Sequence, residues 1–252
     1  MARAIVLFTP ALLFAASLAH AGFGDLLKSA EDYLKPGTST DTTTSVASGL
    51  SDAEIDDGLK QALSVGAERA VALLGKSGGY LDDPQVRIPL PGVLEQSGAL
   101  LRTAGYGGLV DEFETTVNRA AEQAIPKTLE IVKKTVSGMT LQDVRGILQG
   151  GDDAATTYLR EKAGADLHQA VLPIVSDATD RAGATAAYKA LTRQAAGAMG
   201  GLLPTQSLDL DSYVADKALD GLFLKLAAEE REIRRNPVAR TTDLMKKVFA
   251  GN

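Results

Sequence analysis

The residue types that could do chemistry are few. The chain has two histidines, His20 near its start and His168 in its body, and no cysteine. Thiol catalysis, disulfides, Cys-ligated zinc and iron–sulfur chemistry are therefore excluded together. A Ser–His–acid relay would have to be built on His168. One histidine without cysteine is also a poor basis for a transition-metal site. Gly75-Lys76-Ser77 has the ending of a phosphate-binding loop, but the first glycine of that pattern falls on Ala70 and the preceding segment is helical rather than extended. Carboxylate pairs occur at Asp56/Asp57, Asp82/Asp83, Asp152/Asp153 and Glu229/Glu230. The first and third suit helix N-termini, where negative charge is favoured. Asp82/Asp83 lacks the alternating ligands of a calcium loop. No catalytic residue, metal or cofactor is implied.

Glu229 stands out among the charges. Leu219, Leu222, Leu226 and Ile233 form the inward stripe of a helix over 212–235, and Glu229 falls between the last two. A carboxylate there is expected to have low exposure and to need a basic partner, either as an ion pair locking two helices or as a polar spot in a ligand pocket. Arg87, Arg119, Arg160, Arg234 and Arg240 are the cations to place beside it. They could converge on an anionic ligand, or each could pair with a helix-borne acid such as Asp220, Glu122 or Glu229. We take Glu229, Arg119, Arg160 and Arg234 as the ligand or ion-pair candidates.

The elements that must position these groups begin after an address. Arg3 is followed by an apolar run from Ile5 to Leu18 and by Ala19-His20-Ala21, the small residues that signal peptidase accepts. Cleavage is expected between Ala21 and Gly22, so residues 1–21 read as a signal peptide and the mature chain as periplasmic. The apolar run falls short of the ~20 residues needed to span a bilayer, and no later stretch is long and apolar enough. Residues 22–48 follow as a short amphipathic helix, Phe23 to Lys35, and a Thr/Ser-rich tether, Thr38 to Ser48. The compact domain is expected over 49–252. The whole chain of 252 residues, 45% hydrophobic and 23% charged, has the composition of an ordinary globular protein. The net charge of −6 argues against a protein that coats nucleic acid.

Within that domain, Ser51 and Glu54 form a capping-box pair ahead of a stripe from Ile55 to Leu74, with Gly66 on the apolar face as a close helix contact and Gly75 as a left-handed stop. Lys76 to Pro91 is a break whose prolines make Ile88 and Leu90 part of a stiff extended arm. Helices are expected from Gly92 to Thr103, ended by Gly105, and from Leu109 to Gly138, kinked or split at Pro126. Thr140 and Asp143 repeat the capping logic. The helix after Gly150-Gly151 can be capped by Asp152 or Asp153 and runs through Tyr158, Leu159 and Arg160. Further helices cover Ala165 to Ala182, interrupted at Pro173, then Thr185 to Met199 and Ser212 to Arg235, and a last one runs from Asn236-Pro237 to Phe249. No segment alternates as a strand would. The fold class is all-α, a single multi-helix bundle preceded by a short tethered helix.

Several phrases together resemble one bacterial exported family: Ile88-Pro-Leu-Pro91, Asn118-Arg-Ala-Ala-Glu122, Gly150-Gly-Asp-Asp-Ala-Ala-Thr156 with Tyr158-Leu-Arg160, and the tail Lys217 to Phe223, Glu229-Glu230, Ile233-Arg234, Asn236 to Arg240 and Lys246 to Phe249. The resemblance, to domain of unknown function 4197, spans roughly Leu50 to Phe249. Asp153 and Leu159 stand where that family's pattern has Thr and Phe. It implies a helical, signal-peptide-bearing envelope protein and supplies no activity, cofactor or catalytic residue. The leading functional expectation is a non-enzymatic binding or scaffold protein with a protein partner in the cell envelope. The alternatives are a carrier of an apolar small molecule such as a lipid chain between helices, and, more remotely, a carboxylate-based hydrolase.

Overall fold

The computed structural model describes residues 49–181, 183–198 and 209–250; the expected signal peptide, the amphipathic helix and the tether lie outside them. The described residues are helical, with no strand among them. The domain opens with α1, Asp52–Gly75, whose capping box is closed as expected: the Ser51 side chain accepts from the Glu54 amide and Glu54 accepts from the Ser51 amide. Its buried face runs from Ile55 to Leu74 and includes Gly66. A Cβ at Gly66 would lie 3.5 Å from Glu229 Cβ and 3.6 Å from Ile233 Cδ1, ordinary van der Waals distances, so two helices meet at this glycine but their approach does not require it.

The elements that follow are α2, Val93–Leu101; a π-helical turn, Arg102–Tyr106; α3, Gly107–Ala124; a 3-10 turn, Ile125–Lys127; α4, Thr128–Ser137; and α5, Leu141–Gln149. Then come α6, Ala154–Arg181; α7, Ala184–Ala198; α8, Leu210–Arg235; a 3-10 turn, Pro237–Ala239; and α9, Asp243–Val248. The core sits where α6 meets α8, α3 and α4, and where α1 meets α8, α4 and α9. Val110, Phe113 and Val117 of α3, Val132 and Val136 of α4, Leu167 and Val171 of α6, and Leu222 of α8 are all buried in it.

Several boundaries differ from the sequence expectations, each for a physical reason. Gly75 is the last helical residue and Lys76 is extended, with φ −78°; the left-handed position is Gly78, with φ +83°. Gly75 is needed for space instead, since a Cβ there would come within 2.8 Å of Pro126 Cγ. Gly105 does not end a helix. Its φ of +91° kinks a run that resumes at Gly107 through the π-helical turn. Pro126 does split its helix, at the 3-10 turn. Pro173, by contrast, leaves α6 continuous over 28 residues. Pro173 is solvent-exposed, so water can satisfy the carbonyl whose hydrogen bond the proline removes. The tail is not one helix. Arg240 turns the chain after the Asn236-capped 3-10 turn, and Thr242 caps α9 separately.

The break at 76–91 is bound into the core. Tyr80, Val86, Ile88 and Leu90 are buried. The Tyr80 hydroxyl donates to the Ala218 carbonyl at 2.5 Å, and burial, reinforced by the nearby Glu122 carboxylate, pushes this phenol well above its usual range. Asn118 of α3 holds the arm as a neighbouring strand would: its Oδ1 accepts from the Ile88 amide and its Nδ2 donates to the Ile88 carbonyl, both at 2.8 Å. Gly221 of α8 lies beneath Tyr80, where a Cβ would meet the ring at 2.7 Å. We expect Gly221→Ala to destabilise the protein by about 1–3 kcal/mol through overpacking, measured by urea denaturation.

Asp83 gives the arm a pH dependence. Burial tends to raise its carboxyl, but Lys225 Nζ at 2.6 Å and the Gln85 amide at 3.0 Å outweigh this and hold it below the usual range. With the folded value depressed, the contribution is complete above the unfolded pKa of about 3.9 and falls away as pH drops through the folded value. Stability of Asp83→Asn, followed from pH 6 to pH 2.5, should therefore fall less steeply than that of the parent chain.

Candidate functional site

The charged side chains brought together inside the bundle are not the ones the stripe argument selects. Glu230 is the buried carboxylate of α8, with 5% of its side chain exposed, whereas Glu229 is 26% exposed with Arg69 Nη1 at 3.6 Å. Glu229 thus has the expected basic partner and is partly buried, while the lowest exposure belongs to Glu230, one residue further on. Both positions fit the spacing between Leu226 and Ile233. Arg234, four residues after Glu230 and on the same helix face, is the signal that separates them.

Glu230 closes the N-terminus of α6. Its Oε1 accepts from the Ala155 amide and its Oε2 from the Thr156 amide and Thr156 Oγ1, all at 2.9 Å. Arg234 donates to the same carboxylate from Nε at 3.1 Å and Nη2 at 2.9 Å, and Nη2 also reaches the Ile147 carbonyl at the end of α5 at 2.8 Å. The first amides of a helix have no partner within it and carry the positive end of its dipole, so a buried carboxylate is stabilised there. Asp152, which the sequence offers as a cap, pairs instead with Arg235. Arg240 completes the cluster by donating to the Ile233 and Arg234 carbonyls at the C-terminal end of α8.

A second carboxylate repeats the arrangement. Glu122 of α3 accepts from the Tyr80 and Leu81 amides at 3.1 and 3.2 Å through Oε1, and from Arg119 Nη1 at 2.6 Å through Oε2. Arg119 also donates to Ser77 Oγ at 2.7 Å. Two turns earlier on α3, Glu114 accepts from Arg87 at 2.7 Å and Arg102 at 3.3 Å. Arg160 pairs with Asp220 at 3.2 Å and lies 4.3 Å over the Phe223 ring. The candidates Arg119, Arg160 and Arg234 are thus distributed over three separate ion pairs, and Glu229 over a fourth. They do not form one anionic-ligand pocket.

The remaining chemical candidates are equally dispersed. His168 faces Asp216 at 3.3 Å on the outside of α6 and α8. Gly75-Lys76-Ser77-Gly78-Gly79 also has the Gly-x-Ser-x-Gly spacing of a hydrolase nucleophile elbow. Here it follows a helix rather than a strand, and the Ser77 hydroxyl is engaged by Arg119. Among the described residues, no cluster of His, Asp and Glu could hold a metal ion. No buried side-chain polar atom there lacks a hydrogen-bond partner, and no helix is long and apolar enough to cross a membrane. The pocket between α1, α6 and α8, lined by Ala62, Gly66, Leu159, Leu226, Glu230 and Ile233 among others, holds about 10 Å³. That is room for one water at most.

The Glu230 cluster predicts a specific mutational pattern. Glu230→Leu leaves Arg234 charged and buried beside two unpaired amides and should cost about 3–5 kcal/mol. Arg234→Met leaves the carboxylate without its cation but still bonded to α6, and should cost less. In chemical denaturation the double variant should be less destabilised than the sum of the two, because each single change strands the other partner.

The family model described as "Protein of unknown function (DUF4197)" matches residues 49–250, which covers every helix from α1 to α9. No curated protein and no solved structure matches the chain. The buried Glu122 and Glu230, their arginines and the arm they hold all lie within that match. The chain belongs to the DUF4197 family.

Proposed function

We propose that the chain is an exported, non-enzymatic binding or scaffold protein of the bacterial envelope, delivered to the periplasm by cleavage between Ala21 and Gly22. One observation carries the reading: the interior charges are consumed by the fold. Both oxygens of Glu230 and of Glu122 are occupied by backbone amides and arginine. A general acid or nucleophile needs an accessible oxygen beside a space for substrate, and these have neither. The pocket beside Glu230 is too small for an acyl chain, so the carrier reading has no comparable support. The remaining chemistry is on the outer surface, where a partner would be met.

Expression in a two-membrane bacterium tests this directly. The reading expects periplasmic protein whose N-terminal residue is Gly22, a native mass equal to that of the bare mature polypeptide, and one cross-linked envelope protein recovered in fixed ratio. A cytoplasmic, uncleaved chain would overturn the export. A co-purifying lipid would overturn the scaffold reading in favour of the carrier.

A further inference from the structure

Among the described residues, a groove on the outer surface has the makings of a ligand site. It lies between α4 and α6, has a volume of about 300 Å³, and is lined by Ile131, Lys134, Thr135 and Gly138 on one side and Tyr158, Lys162 and Asp166 on the other. That volume is at the lower end of the range for small-molecule sites. Tyr158, Lys162 and Asp166 follow one another at four-residue spacing, so they line one face of α6 over about 12 Å. Gly138 puts no side chain into its end of the groove.

We propose that this groove binds a small organic carboxylate, with the anion between Lys134 and Lys162 and an apolar or aromatic body against Tyr158 and Ile131. The proposal goes beyond the scaffold reading and does not depend on it. Lys134 and Lys162 come from facing helices, and neither has a carboxylate within 4.0 Å among the described residues, unlike Lys133 next in sequence, which is paired with Glu68 at 2.6 Å. Lys162, an exposed side chain, has its Nζ 5.9 Å from the centre of the Tyr158 ring, at the outer limit of a cation–π contact. Tyr158 is partly buried and supplies a flat apolar wall.

Its phenol is held above the usual range by burial and then by the neighbouring Asp143 carboxylate, so it stays protonated. The Thr135 hydroxyl is already donated to the Ile131 carbonyl and does not compete. Asp166, which lines the groove, and Asp143, beside Tyr158 and within the field of Lys162, set the charge limit. Two lysines against two aspartates favour a ligand with one negative charge over a dianion such as a phosphate monoester.

The test is an NMR titration of the isotopically labelled full chain with phenylacetate, alongside phenyl phosphate and inorganic phosphate. The expected result is saturable shifts at amides within 131–138 and 158–166, with weaker binding of both phosphates. The dissociation constant should rise at least fivefold in Lys134→Gln/Lys162→Gln. It should stay unchanged in Lys127→Gln/Lys247→Gln, which removes the same charge elsewhere. Absence of saturation with phenylacetate, tighter binding of either phosphate, or equal weakening by the two double variants would overturn the proposal. None of these results would bear on the envelope partner or on export.

Discussion

The bundle depends on one constraint: where its helices begin or break inside the protein, the freed backbone amides must still find acceptors. Little water reaches these places, and an unmade hydrogen bond in a largely dry interior is costly. Glu230 meets this need at the start of α6, and Glu122 at the turn that carries Tyr80. A neutral acceptor would do so less well. A carboxylate bonds more strongly and complements the positive end of a helix dipole, while Arg234 and Arg119 keep the charge balanced.

The helices that carry these acceptors are therefore more than walls of the core. α8 supplies Leu219, Leu222 and Leu226 to the apolar interior and, four residues later, the cap of a neighbouring helix. Through Arg234 it also binds the last turn of α5, so the α5–α6 junction is held from a third element. α3 does the equivalent for the arm: Glu114, Asn118 and Glu122 recur every four residues, and each meets a different part of the segment from 77 to 90. The cost of this economy is chemical. The carboxylates and arginines of these two clusters are bonded to backbone and to one another, and the groove between α4 and α6 lies apart from them.

The sequence shows the fold more clearly than its polar interior. Capping boxes at Ser51 and Thr140, proline at 126 and the apolar stripes are local signals, and they mark helices whose structure is local too. Pro173 misleads because the outcome depends on which side of the helix faces water, which the residue type alone does not show. Glu229 and Glu230 are hard to separate for a related reason: a stripe drawn at 3.6 residues per turn admits either, Arg234 four residues on is the one local sign for Glu230, and the Ala155 and Thr156 amides that it holds are 75 and 74 residues away in the chain. The pairing of Arg119 with Glu122 is readable, being three residues apart on one helix. That Glu122 also holds the Tyr80 and Leu81 amides is a tertiary fact with no local trace.

The central claim is that Glu230 and Glu122 serve as acceptors for buried backbone, and native-state amide hydrogen exchange of the purified protein tests it most directly. The account expects the amides of Ala155, Thr156, Tyr80 and Leu81 to exchange only through global unfolding, with protection equal to that of the α6 and α8 core. Exchange of these four amides at the rate of exposed loops, in a protein whose helices remain protected, would contradict it.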